Sequence, residues 1–285
     1  MNLKLILMTK DDKELIKPWL FYHGERLGYE NLHVVDDSED EEILEFYNDH
    51  ANLNFNLHRD ETGRRCLDNM EEFFTYIQNS IQDDKPFFLK MDPDEFLISF
   101  EDGNPTASKD DIQEAINIEV DQFWLPQANQ TNLDYLKNEG SELLDCTNFT
   151  FNANNFSFYK KSFSQKQKIN LGGHNISGIS NKSKKLEIIH FHAKRFEDYY
   201  DLAKKVCISH NYIHESDDDQ QIINKLSNFP SGGFASEHKV QFVLAVLTQQ
   251  IDADTFYANF SATVDPGNSI SFDFTQLKEF KDSLK

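Results

Sequence analysis

Positive charge, cysteine and long apolar runs are all scarce in this sequence, and each scarcity narrows the functions open to it. Lysine and arginine number 28 against 49 aspartates and glutamates, a formal net charge of −21. A field of that sign repels nucleic-acid backbones and anionic lipid surfaces, so neither is an expected partner. A divalent cation and a few local bases can still reverse the sign inside a cleft, which leaves an anionic nucleotide compatible. The three cysteines, Cys66, Cys146 and Cys207, are far apart and form no C-x-x-C pair. They read as ordinary reduced cysteines of a cytosolic protein. No stretch approaches the eighteen or so consecutive apolar residues of a membrane span. The apolar Met1–Met8 run stops at Thr9-Lys10-Asp11-Asp12, too short for a signal segment. A cytoplasmic location with no transmembrane segment is the expectation.

What is present is the material of a large core. The hydrophobic fraction is 39% and phenylalanine alone supplies 25 residues, enough for one large domain or two closely packed halves. Residues 3–8 suit a buried parallel strand. Asp11 or Asp12 can cap a following helix that Gly28 ends, with Pro18 forcing a kink or a later start. Leu32–Val35 reads as a second strand and 40–48 as a short acidic helix. The spacing of Met70, Phe73, Phe74, Ile77 and Ile81 predicts a helix over 68–82. Pro86–Met91 is then a third strand. This alternation predicts an α/β fold with a mostly parallel central sheet flanked by helices, whose ligands bind beyond the carboxyl ends of the strands. Further on, Phe96–Phe100, Ile116–Trp124 and Leu186–His192 read as strands. Helices are expected near 196–208, 217–227 and 237–251.

The chemistry concentrates at Asp92-Pro93-Asp94, two carboxylates one residue apart where a buried strand ends. Their oxygens suit the hard cations Mn²⁺ or Mg²⁺, which would neutralise a diphosphate and make it a better leaving group. An EF-hand reading fails, because Leu97 and Gly103 stand where it needs glycine and glutamate. A phosphatase-type nucleophile motif fails as well, because Phe96 replaces its usual Thr or Val. His190 and His192 share one face of their strand and could complete the metal sphere; satisfied core histidines are the plainer alternative. Lys194 and Arg195 could meet a diphosphate, or simply be a solvated helix start. Asp36-Asp37 could read a ribose or base. Glu119 or Asp121 could deprotonate an acceptor hydroxyl, Trp124 could stack on a sugar ring, and the Gly172-Gly173-His174 turn allows close backbone approach. Solvated strand residues and a plain turn explain the same patterns.

With these residues assembled, the chain resembles the GT-A glycosyltransferases of the family-2-like and family-92-like groups. Thr9-Lys10-Asp11-Asp12 through Trp19 and His23 is similar to their "K-N-E…hh-W…H" opening, and Gly28 to Ser38 to their "G-hh…D-[ND]-x-S" segment. Asp92-Pro93-Asp94-Glu95-Phe96 matches "D-x-D-E-F". His174-Asn175 and His190-Phe191-His192 resemble their "H-N" and "H-Y-H" elements. The resemblance covers residues 3–100 and, more loosely, 168–205. It implies a single GT-A domain with its donor half at 1–100 and its acceptor half, with the C-terminal helices, at 101–285. It also implies a UDP- or GDP-type sugar donor, a glycan or other hydroxyl acceptor, and inversion at the sugar carbon. By position Thr9, Lys10, Asp12, Asp36, Asp37, Lys90, Asp92 and Arg195 would line the donor site. Asp92, Asp94, His190 and His192 would surround the metal, with Trp124 and His174 on the acceptor side. Asp12 stands where glutamate is usual, and Lys194-Arg195 replaces a common "R-S". A nucleotidyltransferase is the competing enzyme class, though its glycine-rich basic loop is missing near the first strand. A non-catalytic nucleotide- or carbohydrate-binding protein of the same fold is the other alternative.

Overall fold

The computed structural model describes residues 3–59, 70–82, 86–101, 104–118, 123–125, 127–130, 148–152, 161–163, 183, 185–191, 194–229, 237–263 and 269–273. Two compact units divide the chain. The first comprises Met1–Gln130, Leu143–His192 and Gly267–Lys285; the second comprises Thr131–Glu142 and Ala193–Pro266.

In the first unit, strands β1 (Leu3–Thr9), β2 (Leu32–Asp36), β3 (Asn56–His58) and β4 (Phe87–Met91) form a wholly parallel sheet in the order β3-β2-β1-β4. Strands buried on both faces need near-continuous apolar runs, and β1, β2 and β4 have them. On one face Ile6, Met8, Val35 and Phe88 pack against Phe74 and Ile77 of helix α3 (Met70–Ser80), the helix predicted from its spacing. Helix α1 (Ile16–Leu27) begins late. The Asp12 carboxylate accepts the Leu15 N–H at 3.1 Å, and the Asp12 carbonyl accepts that of Ile16 at 3.2 Å. Pro18 therefore falls in the first turn, where its missing N–H breaks no helical bond. The helix stops at Gly28, whose φ of 89° is one that side-chain-bearing residues rarely adopt. Helix α2 (Glu41–Asp49) starts where Asp40 accepts the Glu42 N–H at 3.0 Å.

A tight turn after β4 leads into β5 (Glu95–Glu101), which belongs to a second sheet with β6 (Asn104–Thr106), β8 (Gln127–Gln130), β9 (Asn148–Asn152), β11 (Leu186–His190) and β12 (Ser269–Asp273). The order is β12-β9-β8-β11-β5-β6, antiparallel except for β11 with β8, and β6 is an edge strand. Strands β7 (Phe123–Leu125) and β10 (Lys161–Phe163) pair separately. The helix-flanked parallel sheet expected from the sequence is thus present, and the six-stranded mixed sheet adds to it. The strand expected over Ile116–Trp124 is a correction. Helix α4 (Lys109–Ile118) takes its start, and among the described residues of this stretch Phe123–Leu125 is extended. Ile112, Ala115 and Ile116 are buried at helical spacing, and the Asp111 N–H reaches the Ser108 hydroxyl at 3.4 Å.

The second unit is helical: α5 (Phe196–Ser209), α6 (Asp219–Ser227), α7 (Glu237–Leu247) and α8 (Ala253–Thr263). Ala203, Cys207, Ile222, Leu226, Val240 and Val243 form its core. Burial pushes the Cys207 thiol up to about 11, so it stays protonated and unreactive, as an ordinary core cysteine does. Among the described residues, no helix is long and apolar enough to cross a membrane.

Helix α1 locks the start of β5. The Tyr22 hydroxyl donates to the Leu97 carbonyl at 2.6 Å, and Arg26 stacks on the Tyr22 ring while donating to the Ala107 carbonyl at 2.7 Å. His23 stacks on Phe96 with ring centroids 5.7 Å apart. Its Nε2 accepts the Leu97 N–H at 3.3 Å, so its proton sits on Nδ1 and is donated to the Trp19 carbonyl at 3.0 Å. Burial drives the His23 pKa down to about 3, and the ring is neutral. The histidine of the resembling opening therefore holds the fold together. Unfolding exposes it and restores its ordinary value, so the unfolded chain binds a proton that the folded chain refuses. Stability from His23 is complete above about pH 6.5 and falls by about 1.4 kcal/mol per pH unit on the way down to pH 3. His23→Gln, which keeps an acceptor for Leu97, should flatten urea-unfolding stability between pH 6 and pH 4 by that slope. An unchanged slope would place the proton uptake elsewhere.

Candidate active site

Because β1, β2 and β4 run parallel and in register, Thr9, Asp36 and Asp92 emerge at the same carboxyl edge, where open α/β sheets bind ligands. Thr9 is opposite Asp36 in the ladder, and the Asp37 N–H donates to the Thr9 carbonyl at 3.1 Å.

The first group of residues surrounds Asp36, which is fully buried. The Ser38 hydroxyl donates to Asp36 Oδ1 at 2.6 Å and the Ser38 amide to Oδ2 at 3.2 Å; the Arg59 Nε lies 3.8 Å from Oδ2. Burial raises the Asp36 pKa against the opposing pull of the Ser38 bonds and the Arg59 charge. The same serine accepts the Asp11 N–H at 2.7 Å, and Asp11 in turn accepts the Glu39 N–H at 3.2 Å. Asp11 adopts a φ of 52° to do so, a left-handed conformation that aspartate tolerates better than most residues. The loops after β1 and β2 are thereby tied together. The Tyr47 hydroxyl, on α2, is buried beside Asp36; burial first and the Asp36 charge second keep it protonated. Neither Tyr47 Oη nor the buried Thr9 Oγ1 has a hydrogen-bond partner. Buried polar groups rarely go unpaired, and Tyr47 has Asp36 beside it, which leaves the Thr9 hydroxyl as the group at this edge open to a further polar contact.

The second group is the turn after β4. The Glu95 N–H donates to the Asp92 carbonyl at 3.1 Å, and the Asp92 N–H donates to Glu95 Oε2 at 2.8 Å. Glu95 itself is entirely buried. The buried ammonium of Lys90 is ion-paired with the Asp92 carboxylate. Pairing of β11 with β5 places His190 opposite Glu95. The Phe191 N–H then donates to the Asp94 carbonyl at 2.8 Å, and His190 Nε2 sits 3.4 Å from Asp94 Oδ1. Burial lowers the His190 pKa, but Asp94, with Glu95 and Asp92 behind it, outweighs burial and raises it.

Of the residues singled out from sequence, Thr9, Lys10, Asp12, Asp36, Asp37, Lys90, Asp92, Asp94 and His190 all belong to the first unit, at or beside these strand ends. Arg195 belongs to the second unit. Trp124 is on β7. Glu119, Asp121, His174 and His192 lie outside the described residues. Arg59, Tyr47 and the buried role of Glu95 went unread in the sequence. Only Glu95 carried a signal there, as the fourth position of the D-x-D-E turn. Among the described residues, no group of three or more His, Cys, Asp or Glu side chains is arranged to hold a metal ion; Asp94 and His190 converge as a pair.

No protein-family model matches the chain, and no curated protein does. Among solved structures it is similar to S. aureus TarS 1–349, at 14% identity and a TM-score of 0.40, over 94% of this chain and 76% of that one. It is similar to the same fragment in complex with UDP, at 15% identity with the same TM-score and coverage. A further match is S. aureus TarS at 15% identity and a TM-score of 0.36, over 94% of this chain and 46% of that one.

The His190–Asp94 pair has a pH signature. A raised folded pKa means that its stabilisation is complete below the unfolded histidine value, about 6.5, and is lost as pH rises through the folded value. His190→Asn should therefore cost about 1–2 kcal/mol at pH 6 and much less at pH 9. Chemical denaturation at the two pH values checks this, and an equal loss at both would remove the charged pair.

Proposed function

We propose that this chain transfers a sugar from a nucleoside-diphosphate donor of UDP or GDP type to a hydroxyl of a glycan or other acceptor, with Mn²⁺ or Mg²⁺ as cofactor. The observation that carries this reading is the Asp94–His190 pair, 3.4 Å apart at the carboxyl end of a parallel strand. It lies on the same edge as Thr9, whose buried hydroxyl lacks a partner. The resemblance of the D-x-D-E-F run supports it.

Asp94 and a neutral His190 are the proposed protein ligands of the ion. Mg²⁺ and its relatives are commonly held by one or two carboxylates, with substrate phosphates and water completing the sphere. Asp94 would be the carboxylate ligand, and His190 would join it only after losing its ring proton. Bound there, the metal would supply charge neutralisation for the departing diphosphate. The chain's own residues do the rest. The hydroxyls of Thr9 and Tyr47 and the guanidinium of Arg59 offer hydrogen bonds to the nucleotide, and Asp12 and Asp37 offer acceptors for ribose hydroxyls. Asp36, bound on both oxygens, holds this rim in shape. The acceptor oxygen attacks the anomeric carbon, the bond from that carbon to the diphosphate oxygen breaks, and the acceptor proton passes to a carboxylate. Asp121 and, behind it, Glu119 are proposed for that base, with inversion at carbon; Trp124 and His174 are proposed to face the acceptor and His192 to assist the metal.

Incubating the protein with Mn²⁺ and a panel of UDP- and GDP-sugars should raise its melting temperature and, with a competent acceptor, release nucleotide. Asp94→Ala should remove the metal-dependent part of the shift. No shift with any nucleotide, metal or not, would sink the reading. A shift with no release across a broad acceptor panel would identify a binding protein instead.

A further inference from the structure

Two histidines that the proposed reaction does not use lie side by side in the parallel sheet. His33, on β2, is buried, and its Nδ1 is 3.1 Å from Nε2 of His58, the last residue of β3. The rings stack with centroids 5.3 Å apart. Two imidazole nitrogens at that distance share one proton, one ring donating and the other accepting. A first extra proton can go to an outer nitrogen and leave that bond intact. A second would set N–H against N–H, and the rings would have to part. Tyr76 of α3 meets the His58 ring edge-on. Ile6 of β1 is opposite His33 in the ladder, and Lys4, two residues before it, donates to Asn31. In the turn Tyr29–Asn31, which packs beside β3, the Glu30 carboxylate is turned to the Asn31 amide. Arg59 follows His58 directly, and its guanidinium donates to the Ser38 carbonyl at 2.6 Å and approaches Asp36. The imidazole pair is therefore one residue from the clasp that ties the loops after β1 and β2.

We propose that the His33–His58 pair is a proton-operated latch: protons taken up in acid separate the rings, release the end of β3 and withdraw Arg59 from Ser38 and Asp36. Strand β3 suits such a role, because it is three residues long and stands at the edge of its sheet. Short peripheral elements open locally at a fraction of the free energy of global unfolding. Burial lowers the His58 pKa, so the closed latch refuses protons that the opened one accepts. The latch is therefore complete above the ordinary histidine value of about 6.5 and weakens as pH falls below it. Its effect reaches the ligand-facing edge through Arg59 alone, the residue that joins His58 to the loop after β2. The latch needs no ligand and stands apart from the proposed transfer reaction.

The test is amide hydrogen exchange read by NMR on the ligand-free protein at pH 7.5 and pH 5, with intrinsic rates divided out. The reporters are the amides of β3 together with those of Ser38 and Glu39, which are bonded to Asp36 and Asp11. At pH 5 they should lose protection by at least about tenfold. The loss should persist in His23→Gln, which removes the other buried histidine. It should disappear in His58→Gln, whose side chain can still pair with His33 but takes up no proton. Arg59→Met should show at pH 7.5 the loss at Ser38 and Glu39 that the wild type shows at pH 5, with β3 still protected. Equal protection at both pH values in the wild type overturns the latch, as does a loss that survives in His58→Gln. Unchanged Ser38 and Glu39 amides in Arg59→Met overturn its connection to the edge. Should His58→Gln fail to fold, the ring-nitrogen shifts of His33 and His58 in the wild type decide. The latch requires them to titrate in linked steps with β3 opening at the second, and two independent titrations with β3 intact would end it.

Discussion

Everything at this edge depends on the turn between Asp92 and Glu95. It is where the chain leaves the parallel sheet and enters the mixed one, and it is held by a reciprocal pair of bonds: backbone to backbone in one direction, backbone to a buried carboxylate in the other. Without Glu95 inside, the Asp92 amide would be left to water and the two carboxylates would lose their fixed separation. With it, β5 starts in a defined register, β11 pairs against it, and an imidazole arrives at Asp94 from a segment nearly a hundred residues away. Behind the turn, Phe96 is wholly buried against His23, Tyr22 and Phe191. Truncating so large a core side chain typically costs about 3–5 kcal/mol. The phenylalanine after the acidic residues is thus the anchor that lets them be held so close together.

Much of the parallel-sheet edge is legible in the sequence because its physics is local. Strands buried on both faces have to be apolar throughout, so β1, β2 and β4 announce themselves, and acidic residues directly after them fall on one edge as a matter of topology. The Asp36-Asp37-Ser38 run was read as acceptor groups for a ligand. Its first carboxylate accepts from Ser38 on both oxygens and is approached by Arg59, which a linear pattern does not reveal. Arg59 left no trace in the sequence because its partners are 21 and 23 positions earlier and no spacing rule links them. Helix α4 was missed for a different reason. The isoleucines at 116 and 118 and Val120 alternate like a strand, and that local alternation obscured the buried Ile112, Ala115 and Ile116 stripe and the serine at the helix start. His190 was legible as a residue type, but its role rests on strand pairing that no short-range pattern contains.

The basic residues at this edge are held among acidic ones. Three of the cations near these strand ends are partnered: Lys90 with Asp92, Arg59 with Ser38 and Asp36, Lys13 with Asp40 and Glu42. Each is held in a definite position by the acids around it.

The edge strand β6 has an effect outside the site. It is three residues long, with Pro105 at its centre, and a proline there has no N–H to offer a visiting strand. Short, proline-bearing edges resist the end-on recruitment of further chains. Among the described strands, that side of the sheet supporting the Asp92–Glu95 turn therefore offers a poor template for strand addition.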